Sequence, residues 1–111
     1  MTPRNALVLV KIVHTVVWAG FVFCIFAVPV SALAGHRGWA LAFTGVVLLE
    51  CAVLAANRWR CPLTDVAARF TEERADNFDI YLPVWLARYN KQVFGTLFAV
   101  GVLVFIWCSY R

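Results

Sequence analysis

Charge is scarce in this sequence. Asp, Glu, Lys and Arg make up 14% of its 111 residues and hydrophobic residues 63%, whereas soluble domains run at about 25% charged and 45 to 50% apolar. So little charge excludes an ordinary solvated surface. No glycine-, proline- or serine-rich stretch offers a linker, and no internal repeat occurs, so residues 1–111 read as a single integral membrane domain. The motifs of familiar catalysis are also missing. There is no Gly-rich phosphate loop for a nucleotide, no H-E-x-x-H and no nucleophile elbow, which favours a non-enzymatic role. Cys24, Cys51, Cys61 and Cys108 form no C-x-x-C pair, excluding a zinc ribbon or a thioredoxin-type motif. Cofactors therefore stay unassigned. The net charge of +4 is not clustered in any nucleic-acid-binding motif. Its positions beside apolar runs fit a lipid bilayer with anionic headgroups, and not nucleic acid, as the partner.

What is present is length of apolar sequence. About 20 helical residues cross a hydrocarbon core of roughly 30 Å, and three runs suffice, at residues 6–28, 39–57 and 93–109. Trp39, Trp59, Trp107 and Tyr110 stand at their ends, where an amphipathic ring prefers the headgroups, while Trp18 sits mid-span. Arg4, the first run, Pro29 and Ala32-Leu33-Ala34 imitate a secretory signal. The run exceeds the usual signal core of about 7 to 15 residues, so it reads as a retained helix, weakened or ended near Pro29. The expected fold is an all-α membrane protein of three transmembrane helices.

The connection at residues 62–91 is expected to hold one or two amphipathic interfacial helices. Leu63, Val66, Ala67 and Phe70 recur at i, i+3, i+4 and i+7, and Tyr81, Trp85 and Tyr89 recur every four residues. Between them Asp76, Asn77 and Asp79 form a polar turn. Arg4, Lys11, Arg58, Arg60, Arg69, Arg74, Arg88 and Lys91 fall on one side of a three-span protein, Arg37 and Arg111 on the other. The positive-inside rule then puts the amino terminus and the 58–91 connection in the cytoplasm and the carboxyl terminus outside.

Inside the runs, polarity is confined to a few residues. Glu50 interrupts the apolar stretch from Trp39 to Ala56, and Lys11 and His14 interrupt the first run. A charge at mid-bilayer costs about 2.5 to 3.5 kcal/mol even on the lenient scale, so such groups must be neutralised, paired or functional. His14 and Glu50 lie equally deep, about 10 Å at 1.5 Å per residue. They meet if the two helices pack antiparallel. Lys11 and His14 share one face with Thr15 and Trp18 adjacent, and Glu50, Leu54, Asn57 and Cys61 line another. The candidate site is a cytoplasm-facing cleft of Lys11, His14, Glu50, Asn57 and Cys61, with Asp79 or Tyr81 added if the 76–92 stretch folds back over it. A plainer reading makes His14 and Glu50 interhelical glue. Cys61 divides in the same way. Arg58 and Arg60 favour its thiolate, the carboxyl end of the second helix opposes it, and free cysteines are mostly packing residues.

The run Asn57-Arg58-Trp59-Arg60-Cys61-Pro62-Leu63-Thr64, with His14 and Glu50 in the preceding spans, resembles a family of small uncharacterised bacterial inner-membrane proteins marked by Cys-Pro-Leu-Thr after a hydrophobic helix. The resemblance implies a multi-helix integral membrane fold and a bacterial host, and brings no established activity. Two features depart from the family pattern. An acidic residue within one turn after the Thr is replaced by immediate Asp65 followed by Ala67 and Ala68, and Asp79 and Tyr81 stand where a second histidine is expected.

Three functions compete. The first is an accessory or structural subunit, in a homo-oligomer or a larger membrane complex, for which Ala52 with Ala56 and Gly95 with Ala99 permit close helix approach. The second is a proton-linked carrier or binder of ions or small solutes using His14 and Glu50. The third is redox work with haem, a quinone or a thiol. Because His14 and His36 lie at opposite ends of the first run, one chain cannot clamp a haem between them, although a symmetric dimer sharing two copies of His14 could. A metal held by His14, Glu50 and Cys51 or Cys61 is the remaining variant.

Overall fold

The computed structural model describes residues 2–110. Among them every regular element is a helix: α1 at Pro3–Leu33, α2 at Arg37–Ala56, α3 at Pro62–Ala68 and α4 at Val84–Tyr110. By length and composition, α1, α2 and α4 are each able to cross a membrane, which makes this a multi-pass membrane protein in outline. Val16, Leu49 and Leu103, on three different helices, are 66, 67 and 64% exposed. A lipid-facing surface explains that, because hydrocarbon imposes no penalty on such side chains.

α1 begins where the sequence supplies a cap. The Thr2 hydroxyl accepts the Asn5 amide at 3.2 Å and Pro3, whose missing donor costs nothing there, occupies the first turn. Of the two outcomes expected at Pro29, a weakened or an ended helix, the ending does not occur. The helix continues to Leu33 and ends in a Schellman motif, with Gly35 at φ +84°, its amide on the Ala32 carbonyl at 3.2 Å and the His36 amide on the Ser31 carbonyl at 2.8 Å. The proline is accommodated by α4. A Cβ on Gly101 would stand 3.0 Å from Pro29 Cδ and 3.7 Å from the Ile25 carbonyl oxygen, so a glycine lets the two helices close around the ring without displacing it.

α1 is the common wall, packed along both α2 and α4, which scarcely touch each other. The bundle measures 55 × 25 × 24 Å. Its dry core lies toward the end of α1 and the start of α2, where Ile25, Val28, Ala32 and Ala40 are buried, with Val47 further along α2.

The connection after α2 departs from the expected outline. α3 stops at Ala68, short of Phe70, and no separate second helix follows it. Val84 already opens α4, so Trp85 and Tyr89 ride on the first turns of the third long helix, well before residue 93. Pro83 marks the break, since a proline is readily placed where a helix starts. Residues 69–83 instead form an irregular strap that folds back over α1, burying Asp79 and Ile80 to 5% exposure each. At the end of α2 the chain turns through Arg58 and Trp59, at φ +59° and +63°. Non-glycine residues are strained there. Three contacts hold the turn: the Trp59 amide on the Leu54 carbonyl at 2.6 Å, Asn57 Nδ2 on the Arg60 carbonyl at 2.7 Å, and Lys91 Nζ donating to the Trp59 carbonyl.

Candidate functional site

A cavity of about 330 Å³ opens where α1, α2, α3, the strap and the first turns of α4 converge. His14 and Glu50 both line it, joined by Cys61, Thr64 and Asp79. The arrangement follows from position along the chain. A polar stripe at 11, 14, 15 and 18 turns one face of α1 toward the strap, and α3 opens with Cys61 at its cap and Thr64 one turn later.

The strap is fastened to α1 at two adjacent points. His14 Nδ1 lies 3.0 Å from the Asp79 carbonyl oxygen and 3.5 Å from Asp79 Oδ2. A carbonyl only accepts, so Nδ1 carries the proton and, in the neutral ring, Nε2 is left as the acceptor. Thr15 Oγ1 donates to the Lys11 carbonyl at 2.7 Å and accepts the Tyr81 amide at 3.0 Å. Thr64 Oγ1 donates to the same Asp79 carboxylate oxygen that faces His14. A buried carboxylate is expensive unless paired, and these contacts supply the pairing. One helical turn of Cys-Pro-Leu-Thr thus reaches both ends of the His14–Asp79 pair, Thr64 at the carboxylate and Cys61 at the imidazole.

The Cys61 thiol is partly buried, and burial pushes its pKa up. The hydrogen bonding of His14, the Leu63 backbone amide and the charge of the imidazole outweigh burial and bring it below the ordinary thiol value, while Glu50 works in the opposite direction. Cys61 is also the one cysteine lining the cavity among the described residues.

Of the residues singled out from sequence, His14, Glu50, Cys61 and Asp79 come together around this space. Glu50, however, makes no hydrogen bond or ion pair within 4.0 Å with any described residue, His14 included; its relation to the imidazole is through-space charge. Lys11 stands off the cavity wall, with Nζ 4.4 Å from the centre of the Tyr81 ring. Asn57 is likewise outside, bonded to Asp65 Oδ2 at 2.9 Å. No three His, Cys, Asp or Glu side chains among the described residues are grouped so as to hold a metal ion. His36 caps α2 at the far end of α1.

Sequence reasoning named Thr64 only within the Cys-Pro-Leu-Thr run, not as a site residue, and did not single out Asn90. Asn90 Oδ1 accepts the Trp18 indole N–H at 2.8 Å and so explains a tryptophan in mid-run. The signal was the polar stripe on α1, which demands partners of which Glu50 alone could be only one. On the outer rim Arg88 Nε pairs with Asp76 Oδ2 at 2.8 Å, and Arg60, Arg74 and Lys91 complete a cationic edge. Comparisons with family models, with curated proteins and with solved structures give no match to this chain.

Proposed function

We propose that this protein is a bacterial inner-membrane protein that binds a small polar solute in the His14–Glu50 cavity and exchanges protons with it. The observation that carries the reading is the cavity itself, in whose wall Glu50 has no hydrogen-bonding partner among the described residues while His14 is held in a fixed orientation by Asp79. Interhelical glue would call for direct contact between His14 and Glu50. An ionisable group at membrane depth that stays unpaired is instead a candidate for ligand binding. The 55 Å long axis exceeds a hydrocarbon core of about 30 Å, so the capped end of the bundle reaches the headgroups. The excess of Lys and Arg on the 58–91 connection favours the cytoplasmic face for that end. The likeness of the 57–64 run to small bacterial inner-membrane proteins supports the same placement.

Reconstitution into liposomes carrying an internal pH dye tests the reading. Wild-type protein is expected to give solute-dependent proton movement that Glu50→Gln removes and His14→Gln reduces. Equal proton movement in the double variant His14→Gln/Glu50→Gln and in wild type would refute it. A second reading, self-association or service as an accessory subunit, draws on α4. A Cβ built on Gly95 meets nothing within 4 Å, so its small-residue face is open to another helix. Crosslinking of a Gly95→Cys variant in native membranes decides this; absence of any crosslinked species removes the second reading.

A further inference from the structure

We propose that Cys61 is an acyl-acceptor thiol, activated by His14 and positioned by Asp79, that takes an acyl group from a phosphate-bearing thioester arriving at headgroup level. This shares the cavity with the proposed function but rests on a different pair of side chains. Three observations carry it. The first is the order of groups. Asp79 occupies the Nδ1 side of the imidazole, which leaves Nε2 to act on a thiol, and Cys61 lines the same cavity as His14. A thiol, an imidazole and a buried carboxylate in this succession form an activated nucleophile.

The second is the absence of a resolving thiol. Cys24, Cys51 and Cys108 do not line the cavity, so an intramolecular disulfide exchange has no second sulfur to use. Chemistry at Cys61 must therefore take its electrophile from outside, and carbon is the electrophilic atom a thioester offers.

The third is the character of the walls. The long helices α1 and α2 contribute Val17 and Leu54 to the cavity wall, and the chain after α2 and the first turns of α4 contribute Arg60 and Lys91. A ligand with an apolar chain and an anionic head matches that division, because the chain can lie along α1 and α2 while the phosphates meet the cations.

The step balances without an oxidant. His14 Nε2 takes the proton from Cys61 Sγ, the sulfur attacks the thioester carbonyl carbon, and the new carbon–sulfur bond forms as the bond to the donor sulfur breaks. The proton held on His14 passes to the departing thiolate. Cys61 and His14 are the catalytic residues. Asp79 and Thr64 are positioning residues, orienting the ring and balancing the imidazolium that forms in transit.

The test uses the full chain in nanodiscs of phosphatidylethanolamine and phosphatidylglycerol, with palmitoyl-coenzyme A as the probe and intact-mass and peptide mapping as the readout. A single hydroxylamine-labile acyl group is expected on Cys61. His14→Gln should slow its appearance about 100-fold, the scale of a general base, and Cys61→Ser should abolish it. A donor-independent readout accompanies these variants: maleimide labelling of Cys61 against pH. The charged and titratable groups that line the cavity with the thiol are His14 from α1, Glu50 from α2, Arg60 beside it, Arg74, Asp76 and Asp79 from the strap, and Arg88 and Lys91 from α4. In His14→Gln the labelling profile should move to higher pH, and Asp79→Asn should move it the same way while Asp79→Glu restores part of the wild-type behaviour. Glu50→Gln removes a nearby negative charge and should speed labelling, although the same change abolishes the proton signal of the preceding section; the two proposals therefore fail separately. Acyl groups spread evenly over the four cysteines, or an unchanged rate and pH profile in His14→Gln, would overturn the assignment.

Discussion

The two ends of the bundle are built on opposite principles. At one end α1 meets its neighbours through Val28, Ala32, Ala40 and the Pro29–Gly101 contact, with a cavity of about 80 Å³ beside Arg37 and Ser109. At the other it meets them through hydrogen bonds from the strap around a cavity of about 330 Å³. Close packing and open space cannot share one stretch of helix. The protein secures its helices at one end and so is free to hold polar groups apart at the other.

Breaking the polar end should have the largest effect. His14→Leu leaves the buried Asp79 carboxylate with Thr64 as its remaining partner and should cost about 3 kcal/mol, the lower bound for breaking a buried pair. Titration with SDS gives the loss, and proteolysis within residues 71–76 should accelerate as the strap lifts. If His14→Leu is as stable as wild type, the polar end owes nothing to that pair. Gly101→Ala attacks the dry end and should cost about 2 kcal/mol through overpacking against the rigid proline ring. Gly95→Ala, whose added methyl meets open space, serves as its control and should change little. The comparison sharpens if Gly101→Ala leaves Cys61 labelling untouched, because the two ends then act independently. Arg58→Gly should stabilise by about 1 kcal/mol, since glycine relieves the left-handed conformation at φ +59°.

The smallest effect is one of pH. Cys61 has its pKa lowered in the folded protein, so its contribution to stability is fully present above the ordinary thiol pKa and is lost as pH falls through the lowered value. Amide protection over residues 76–82, corrected for the intrinsic pH dependence of exchange, should therefore fall on acidification through that window, while protection over residues 25–32 stays level. Equal response at both places would mean that the thiol does not report on the polar end.

Much of the fold was readable because lipid imposes a crude and strong requirement. Runs of apolar residues long enough to cross a bilayer become helices, and α1, α2 and α4 cover all three expected runs. Their ends were less readable. Pro29 looks like a terminus until Gly101, far along the chain, is known to receive its ring. The polar cluster divided similarly. His14, Glu50, Cys61 and Asp79 advertise themselves by being polar in or beside apolar sequence, and they do converge. That Asp79 and not Glu50 engages the imidazole depends on the path of residues 69–83, an irregular strap whose course the periodicities through Phe70 and Tyr81 do not describe. Lys11 and Asn57 share helix faces with the cluster but turn to Tyr81 and Asp65.

His14 belongs to α1, which is synthesised before the strap, and Asp79 follows 65 residues later. Until then the imidazole and Glu50 sit in a half-made chain that has neither its strap nor the glycine that fits around Pro29. The nascent pair α1–α2 is therefore made with its most polar face uncovered, and synthesis of the strap and α4 closes that face. Truncation before α4 would yield a product that inserts yet exposes that face, marking it for the quality-control proteases of the membrane.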